Sequence, residues 1–303
     1  GERQPGRMVA LIGDAEMDEG NIYEALIEGW KHGLRNCWWI VDYNRQSLDA
    51  VVREGLWEKF EKMFQSFGWD VVVLRHGRIQ QAAFMEPGGA RLRQWIEACP
   101  NQLYSALTFK GGAAWRERLT ADFKGDAQAL SLVARRDDTT LAELMTNLGG
   151  HDIPTLLEAF DAAAKHERPT CFIAYTIKGF GLPLAGHKDN HAGLMTPAQM
   201  EAFRAGVRVR AGREWERWEG LDHAPATLEA LVAKAPFFSG GPRRLDAPAI
   251  DVPDVLPLPP ASGKPVSTQM GFGQVLNEIA RTDSAFARRI VTTSDRKSTR
   301  LNS

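Results

Sequence analysis

Two short apolar runs, residues 8–12 and 37–41, each end in a polar turn. Gly13-Asp14-Ala15-Glu16 follows the first and Tyr43-Asn44-Arg45-Gln46 closes the second. Runs of this length read as buried strands. Residues 21–30 between them read as a helix with Asn21 as its N-cap. The pattern is a βαβ unit, so Asp14 and Asn44 fall at the carboxyl ends of parallel strands, where open α/β sheets bind ligands. One carboxylate, one side-chain amide and a nearby backbone carbonyl form half of an all-oxygen shell. Mg²⁺ or Ca²⁺ on a diphosphate needs such a half-shell, because phosphate oxygens supply the rest. The plainer alternative is that Asp14 only caps the segment after it.

Thirty residues separate Asp14 from Asn44, and Gln46 follows two later. Further segments come in a fixed order: Glu16-Met17-Asp18-Glu19, Gln46-Ser47-Leu48-Asp49, Thr108-Phe109-Lys110, Gly149-Gly150-His151-Asp152 and Thr176-Ile177-Lys178-Gly179-Phe180-Gly181. In this series the chain resembles the homodimeric E1 component of the pyruvate dehydrogenase complex, a transketolase-like thiamine-diphosphate enzyme. The resemblance runs over nearly all of residues 1–294. It departs at Ala15, where the wider family has glycine. Alanine still offers its N–H to a phosphate but adopts positive φ less readily.

The resemblance implies an α/β, thiamine-diphosphate-binding fold with a mainly parallel sheet flanked by helices, then a linker and the start of a second α/β domain. It implies that Asp14 and Asn44 hold Mg²⁺ through their side chains and Gln46 through its carbonyl. Ala15 and Glu16 would line the diphosphate, with Lys178 near the phosphates or the substrate carboxylate. His191 matches a histidine on a mobile active-site loop. The path from Lys178 to it is two residues shorter here, which leaves His187 as a rival. The implied activity is oxidative decarboxylation of pyruvate or a similar 2-oxo acid, with acyl transfer to a lipoyl-bearing E2 acyltransferase. The implied state is a homodimer. The family's proton-shuttling glutamate would lie beyond Ser294. Two other readings stay open. One is transketolase-type ketol transfer between sugar phosphates, favoured by Glu19-Gly20 and Tyr23-Glu24-Ala25 and opposed by the long stretch of 134 residues from Asn44 to Lys178. The other is an inactive fragment that folds or binds cofactor only with a partner chain.

With 303 residues, 44% of them hydrophobic, the chain can bury one full core and part of another. A net charge of −1 gives no reason to expect nucleic acid or an anionic membrane as partner. The longest apolar runs are strand-length, which argues against a membrane span. Cys37, Cys99 and Cys171 are an odd, widely spaced set that reads as reduced core residues of a cytoplasmic protein.

The expected organisation is a diphosphate- and Mg²⁺-binding domain over residues 1–234, a linker over 235–265, the beginning of a pyrimidine-binding domain over 266–294, and a tail over 295–303. The linker stretch holds eight prolines. The tail reads as the in-frame translation of a sequencing adapter, and the chain as cut at both ends. Within the first domain, residues 69–74 and 169–177 read as strands, 79–98 as a helix broken at Pro87-Gly88-Gly89, and 141–145, 155–166 and 198–218 as helices. Residues 267–279 read as a helix capped by Ser267 and 290–293 as a strand. The nine tryptophans are expected in packing roles. His151 reads as part of a turn, Lys110 as either a phosphate ligand or a solvated lysine, and His32, His76, His166 and His223 as surface residues.

Overall fold

The computed structural model describes residues 6–47, 50–51, 54–235, 248–260, 263 and 265–291. It divides into two compact units, Gly1–Gly220 and Leu221–Ser303. The first is an α/β unit around a four-stranded sheet. Its elements in chain order are β1 (Met8–Gly13), α1 (Gly20–Lys31), β2 (Cys37–Tyr43), the short β3 (Gln46–Ser47) and β4 (Ala50–Val51), α2 (Leu56–Ser66) and β5 (Asp70–Leu74). Six helices follow, α3 (Arg78–Phe84), α4 (Gly89–Ala98), α5 (Asn101–Lys110), α6 (Gly112–Asp122), α7 (Ala127–Ala134) and α8 (Asp138–Thr146). Then come α9 (Ile153–Ala163), β6 (Thr170–Tyr175) and α10 (Pro197–Gly206). The sheet order is β1-β2-β6-β5, every pairing parallel. β3 and β4 form a separate antiparallel pair.

Period-2 alternation decides which core each strand residue joins. Cys37, Val41 and Tyr43 of β2, with Cys171, Ile173 and Tyr175 of β6, face the larger core built with α1, α2 and α4 to α8. Trp38 of β2, Leu74 of β5, and Phe172 and Ala174 of β6 face the opposite side, where α9 lies. There Trp38 sits 5.5 Å from Phe160 and 5.2 Å from Phe172, ring centre to ring centre. Burying aromatic rings of this size stabilises each contact by roughly 0.5–1.5 kcal/mol beyond the area effect.

The strand expected at residues 8–12 is present but is not buried. β1 lies at one end of the sheet order, and Met8 and Leu11 are 68% and 75% exposed. An apolar run shows that a strand is favoured, not that both of its faces are covered. Asn21 does not cap α1 either: the N-cap position is Glu19, with no side-chain cap bond. The helix expected over 198–218 stops at Gly206, where Val207 ends it and Arg208 takes φ +60°. Helices α2, α5, α6 and α7 stand where the sequence reading above expects no element, although Leu56, Phe60, Met63 and Phe64 give α2 an apolar stripe at helical spacing. The tryptophans divide: Trp38, Trp69, Trp95 and Trp115 are buried, while Trp30 and Trp215 are exposed. His76 is no surface residue, since it is largely buried with Nδ1 2.7 Å from Gln80 Oε1.

In the second unit, α11 (Pro225–Ala233) precedes α12 (Thr268–Arg281). Ser267 caps α12 by accepting the Met270 N–H at 3.2 Å. Residues 248–260 carry no helix or strand. The strand expected at 290–293 does not begin within its described part: Ile290 closes a 3₁₀ turn, Ala287–Arg289, and Val291 is in no strand. Residues 236–247, 261–262 and 264 of the proline-rich stretch, and residues 292–303, lie outside the described residues. Among the described residues no helix is long and apolar enough to cross a membrane, and the three cysteines are free.

Candidate functional site

β1 and β2 end side by side, with Gly13 opposite Asp42. Past Gly13 the chain tightens into a 3₁₀ turn, Asp14–Asp18, which brings Asp14 over the strand ends. Past Tyr43 it turns through Asn44, Arg45 and Gln46 into β3. The two turns meet: the Arg45 N–H donates to Asp14 Oδ2 at 2.8 Å. The Gln46 N–H donates to Asn44 Oδ1 at 2.9 Å, a local side-chain turn that fixes the amide. Asp14 is 3% exposed. Burial pushes its carboxyl up to about 6; the Arg45 N–H opposes the rise, the Asp42 carboxylate adds to it, and the Ala15 N–H and Lys178 ammonium oppose it.

Gln46 is buried, with Nε2 donating to the Gly186 carbonyl at 3.3 Å and Oε1 without a partner among the described residues. That bond ties the Asn44–Gln46 turn to the loop expected to carry the histidines. Gly186 holds φ +77°, and a Cβ there would stand 2.9 Å from the Ser105 carbonyl oxygen. Glycine is what lets the loop lie against α5. Lys178 lies three residues past the end of β6; its Nζ lies 3.3 Å from His191 Nδ1, and its carbonyl accepts from Asn190 Nδ2 at 2.6 Å. His187 points elsewhere: its ring centre is 4.6 Å from that of Phe109 on α5, and Nδ1 accepts the Asp189 N–H at 3.2 Å. Beside it opens a cavity of about 650 Å³, with Val51, Ser105, Phe109, Lys110 and Lys188 in its lining. Glu16 is exposed, and its carboxylate accepts the Gly13 N–H at 3.1 Å; Ala15 is half-buried beside Asp14.

The Gly149-Gly150-His151-Asp152 segment crosses the ends of β5 and β6. A Cβ at Gly149 would stand 2.6 Å from Leu74 backbone atoms, and one at Gly150 2.6 Å from the Tyr175 carbonyl oxygen. His151 does more than turn the chain. Its Nε2 accepts the Ile177 N–H at 2.8 Å, and its ring stacks on Phe180 at 3.9 Å, which fixes the backbone on either side of Lys178. Burial holds its imidazolium below the ordinary range, with Asp42 opposing and Arg45 reinforcing. Asp42 itself accepts from Thr176 Oγ1. Nothing in the sequence pattern singles out Asp42, Arg45, Thr176 or Gly186, because their roles lie in contacts between separate segments, some more than a hundred residues apart. Two adjacent glycines before His151 are the one local signal of backbone-to-backbone packing.

The structure therefore brings Asp14, Asn44 and Gln46 to one pair of turns, and Lys178 to His191, while His187 faces α5. The donors suit a hard divalent cation. A desolvated carboxylate favours taking up a cation, and an amide oxygen and a turn carbonyl add neutral oxygen ligands of the type that Mg²⁺ accepts. Among the described residues no group of three or more His, Cys, Asp or Glu side chains could hold a metal ion. The Asp14–Asn44–Gln46 set includes one residue of those types.

No protein-family model matches the chain. Individual proteins do. The pyruvate dehydrogenase E1 component of Cupriavidus necator is 26% identical over 288 residues, 90% of this chain and 32% of that protein. That of Mycobacterium tuberculosis is 29% identical over 243 residues, 79% of this chain and 24% of that protein. That of Escherichia coli K12 is 28% identical over 198 residues, 64% of this chain and 22% of that protein. The chain spans at most about a third of the length of these curated relatives. By these matches, the chain is a distant, partial homologue of pyruvate dehydrogenase E1 components.

Proposed function

We propose that this chain is the diphosphate- and metal-binding part of an E1-like enzyme that decarboxylates pyruvate or a similar 2-oxo acid. The observation that carries the reading is the meeting of the two strand-end turns, where the Arg45 N–H joins the buried Asp14 carboxylate. It puts a carboxylate and an amide of the expected spacing at neighbouring carboxyl ends of parallel strands, where α/β sheets take their ligands. The similarity to E1 components supports it independently.

On this reading Asp14 and Asn44 hold Mg²⁺ through side-chain oxygens and Gln46 through its carbonyl. Ala15 and Glu16 line the diphosphate. When bound, thiamine diphosphate supplies the electron sink that decarboxylation of a 2-oxo acid requires. The protein's share is to position the reactants and place charge. Lys178 offers an ammonium to a phosphate or to the substrate carboxylate. His191, whose Nδ1 is 3.3 Å from the Lys178 Nζ, would on this reading hold or pass a proton when the acyl group leaves for a lipoyl acceptor. His187, against Phe109, serves as a wall of the neighbouring cavity. The lipoyl-bearing E2, a homodimeric partner chain, the domain division at residue 234 and the reducing cytoplasmic setting belong to the same proposal. So does dependence of the isolated chain on a partner for activity.

The test is Mg²⁺-dependent binding of thiamine diphosphate, followed by titration calorimetry. Asp14→Ala and Asn44→Ala should each weaken binding well over tenfold while the circular dichroism spectrum stays unchanged. Unaltered affinity in both variants refutes the assignment. Strong ketol transfer from xylulose 5-phosphate to ribose 5-phosphate, without 2-oxo-acid decarboxylation, would replace it with the transketolase reading.

A further inference from the structure

We infer that Arg45 is a positioning residue for the metal-side turn, and that it acts through a cation seated on aromatic rings. The inference rests on the metal-site reading above. Arg45 stands between Asn44 and Gln46, is 7% exposed, and takes φ +67°. A left-handed backbone is strained in any residue with a Cβ and persists where surrounding contacts over-determine it. Those contacts can be named. The guanidinium carbon lies 4.3 Å from the centre of the Tyr104 ring and 5.9 Å from that of Tyr175. A desolvated cation over a ring face gains more from the ring's quadrupole than an exposed one does.

Both rings are anchored. The Tyr104 hydroxyl donates to the Met145 carbonyl, and Tyr175 packs edge-to-face on Tyr43 at 4.9 Å. Arg45 Nε has no hydrogen-bond partner among the described residues, but the guanidinium also reaches the Tyr104 hydroxyl, so Tyr104 holds the side chain by both its ring and its hydroxyl. What the anchored turn delivers is local. With residue 45 reversed, its N–H meets the Asp14 carboxylate and the following N–H meets Asn44 Oδ1. An arginine whose charge is seated on Tyr104 thereby sets where the Asp14 and Asn44 oxygens stand.

The experiment uses all 303 residues of the chain, with Mg²⁺ titrated calorimetrically in the presence of thiamine diphosphate. The variants are Arg45→Met, Arg45→Lys, Tyr104→Leu and the Arg45→Met/Tyr104→Leu pair. Removing the cation or the ring should each weaken Mg²⁺ binding about tenfold, and the pair should lose little more than either alone. Arg45→Lys, which keeps a cation over the ring, should stay within about threefold of the wild type. A second readout needs no metal: hydrogen exchange at the amide of residue 45 should accelerate in Arg45→Met, because Asp14 no longer holds it. Additive losses, or Mg²⁺ affinity in Arg45→Met equal to the wild type, overturn the inference. Should the wild type take up no Mg²⁺, the metal reading fails and exchange alone decides. Faster exchange then sustains the positioning of Asp14 by Arg45, and unchanged exchange refutes it. If Tyr104→Leu does not fold, Arg45→Met against Arg45→Lys still decides: equal Mg²⁺ affinities in the two refute a role for the cation, and a loss confined to Arg45→Met sustains it.

Discussion

Asp14→Asn should move stability and metal binding in opposite directions. Without metal, burial raises the Asp14 carboxyl from 3.8 in the ordinary state to about 6. The folded protein therefore binds this proton more tightly than the unfolded chain, and stability falls as pH rises through the window between those values. Above it the full penalty applies, about 3 kcal/mol at roughly 1.4 kcal/mol for each tenfold change in proton affinity. Asparagine removes the charge and still accepts the Arg45 N–H through its remaining oxygen. It cannot accept the Ala15 N–H with its amide nitrogen, which returns about 1 kcal/mol. The metal-free variant should thus be more stable than the wild type by about 1–2 kcal/mol at pH 7. At pH 5 about half of the charge penalty remains, so the advantage should shrink to near zero. Urea unfolding at both pH values, in chelator, measures this. The same variant should lose the stabilisation that Mg²⁺ with thiamine diphosphate confers on the wild type. A variant that is less stable at pH 7, or whose difference from the wild type does not depend on pH, would refute the argument.

Three further outcomes are expected. Gly186→Ala places a Cβ 2.9 Å from the Ser105 carbonyl oxygen at φ +77°; it should destabilise by roughly 1–3 kcal/mol in urea unfolding and detach the loop from Gln46. His151→Phe keeps the ring stack on Phe180 but strands the Ile177 N–H, a loss of about 1–3 kcal/mol at pH 7.5. Because burial lowers the proton affinity of the folded His151, the unfolded chain binds the extra proton and the wild type weakens as pH falls below the ordinary histidine range; the gap between the two proteins should therefore narrow at pH 5, as thermal unfolding at the two pH values will show. His191→Ala should reduce acyl transfer to a lipoyl acceptor far more than it reduces cofactor affinity, and His187→Ala should do less; equal, small effects on turnover would return this loop to a structural role.

The βαβ unit is legible in the sequence because two apolar runs, a helical interval and polar stops are local properties, dictated by side-chain periodicity and turn chemistry. The thirty-residue spacing of Asp14 and Asn44 is legible for the same reason, since a parallel pair with one crossover helix forces both residues to the same end of the sheet. The break at Pro87-Gly88-Gly89 and the Ser267 cap follow from backbone chemistry alone. Helices α5 and α6 are not legible, because their apolar residues are spread around the helix and leave no single clean face, whereas α2 does show an apolar stripe, Leu56, Phe60, Met63 and Phe64, that helical spacing alone could have found. The exposure of Met8 and Leu11 is not legible either, since an apolar run does not say whether a neighbouring strand covers it.

At the candidate site, sequence determined which oxygens are available; tertiary structure decided how they are held. The αL turn at Arg45, the seat of its charge on Tyr104, the bond from Gln46 to Gly186 and the hold of His151 on Ile177 all depend on residues distant in sequence. Local preference cannot encode such contacts, because their energy exists only once two separate segments have paid the entropy of meeting.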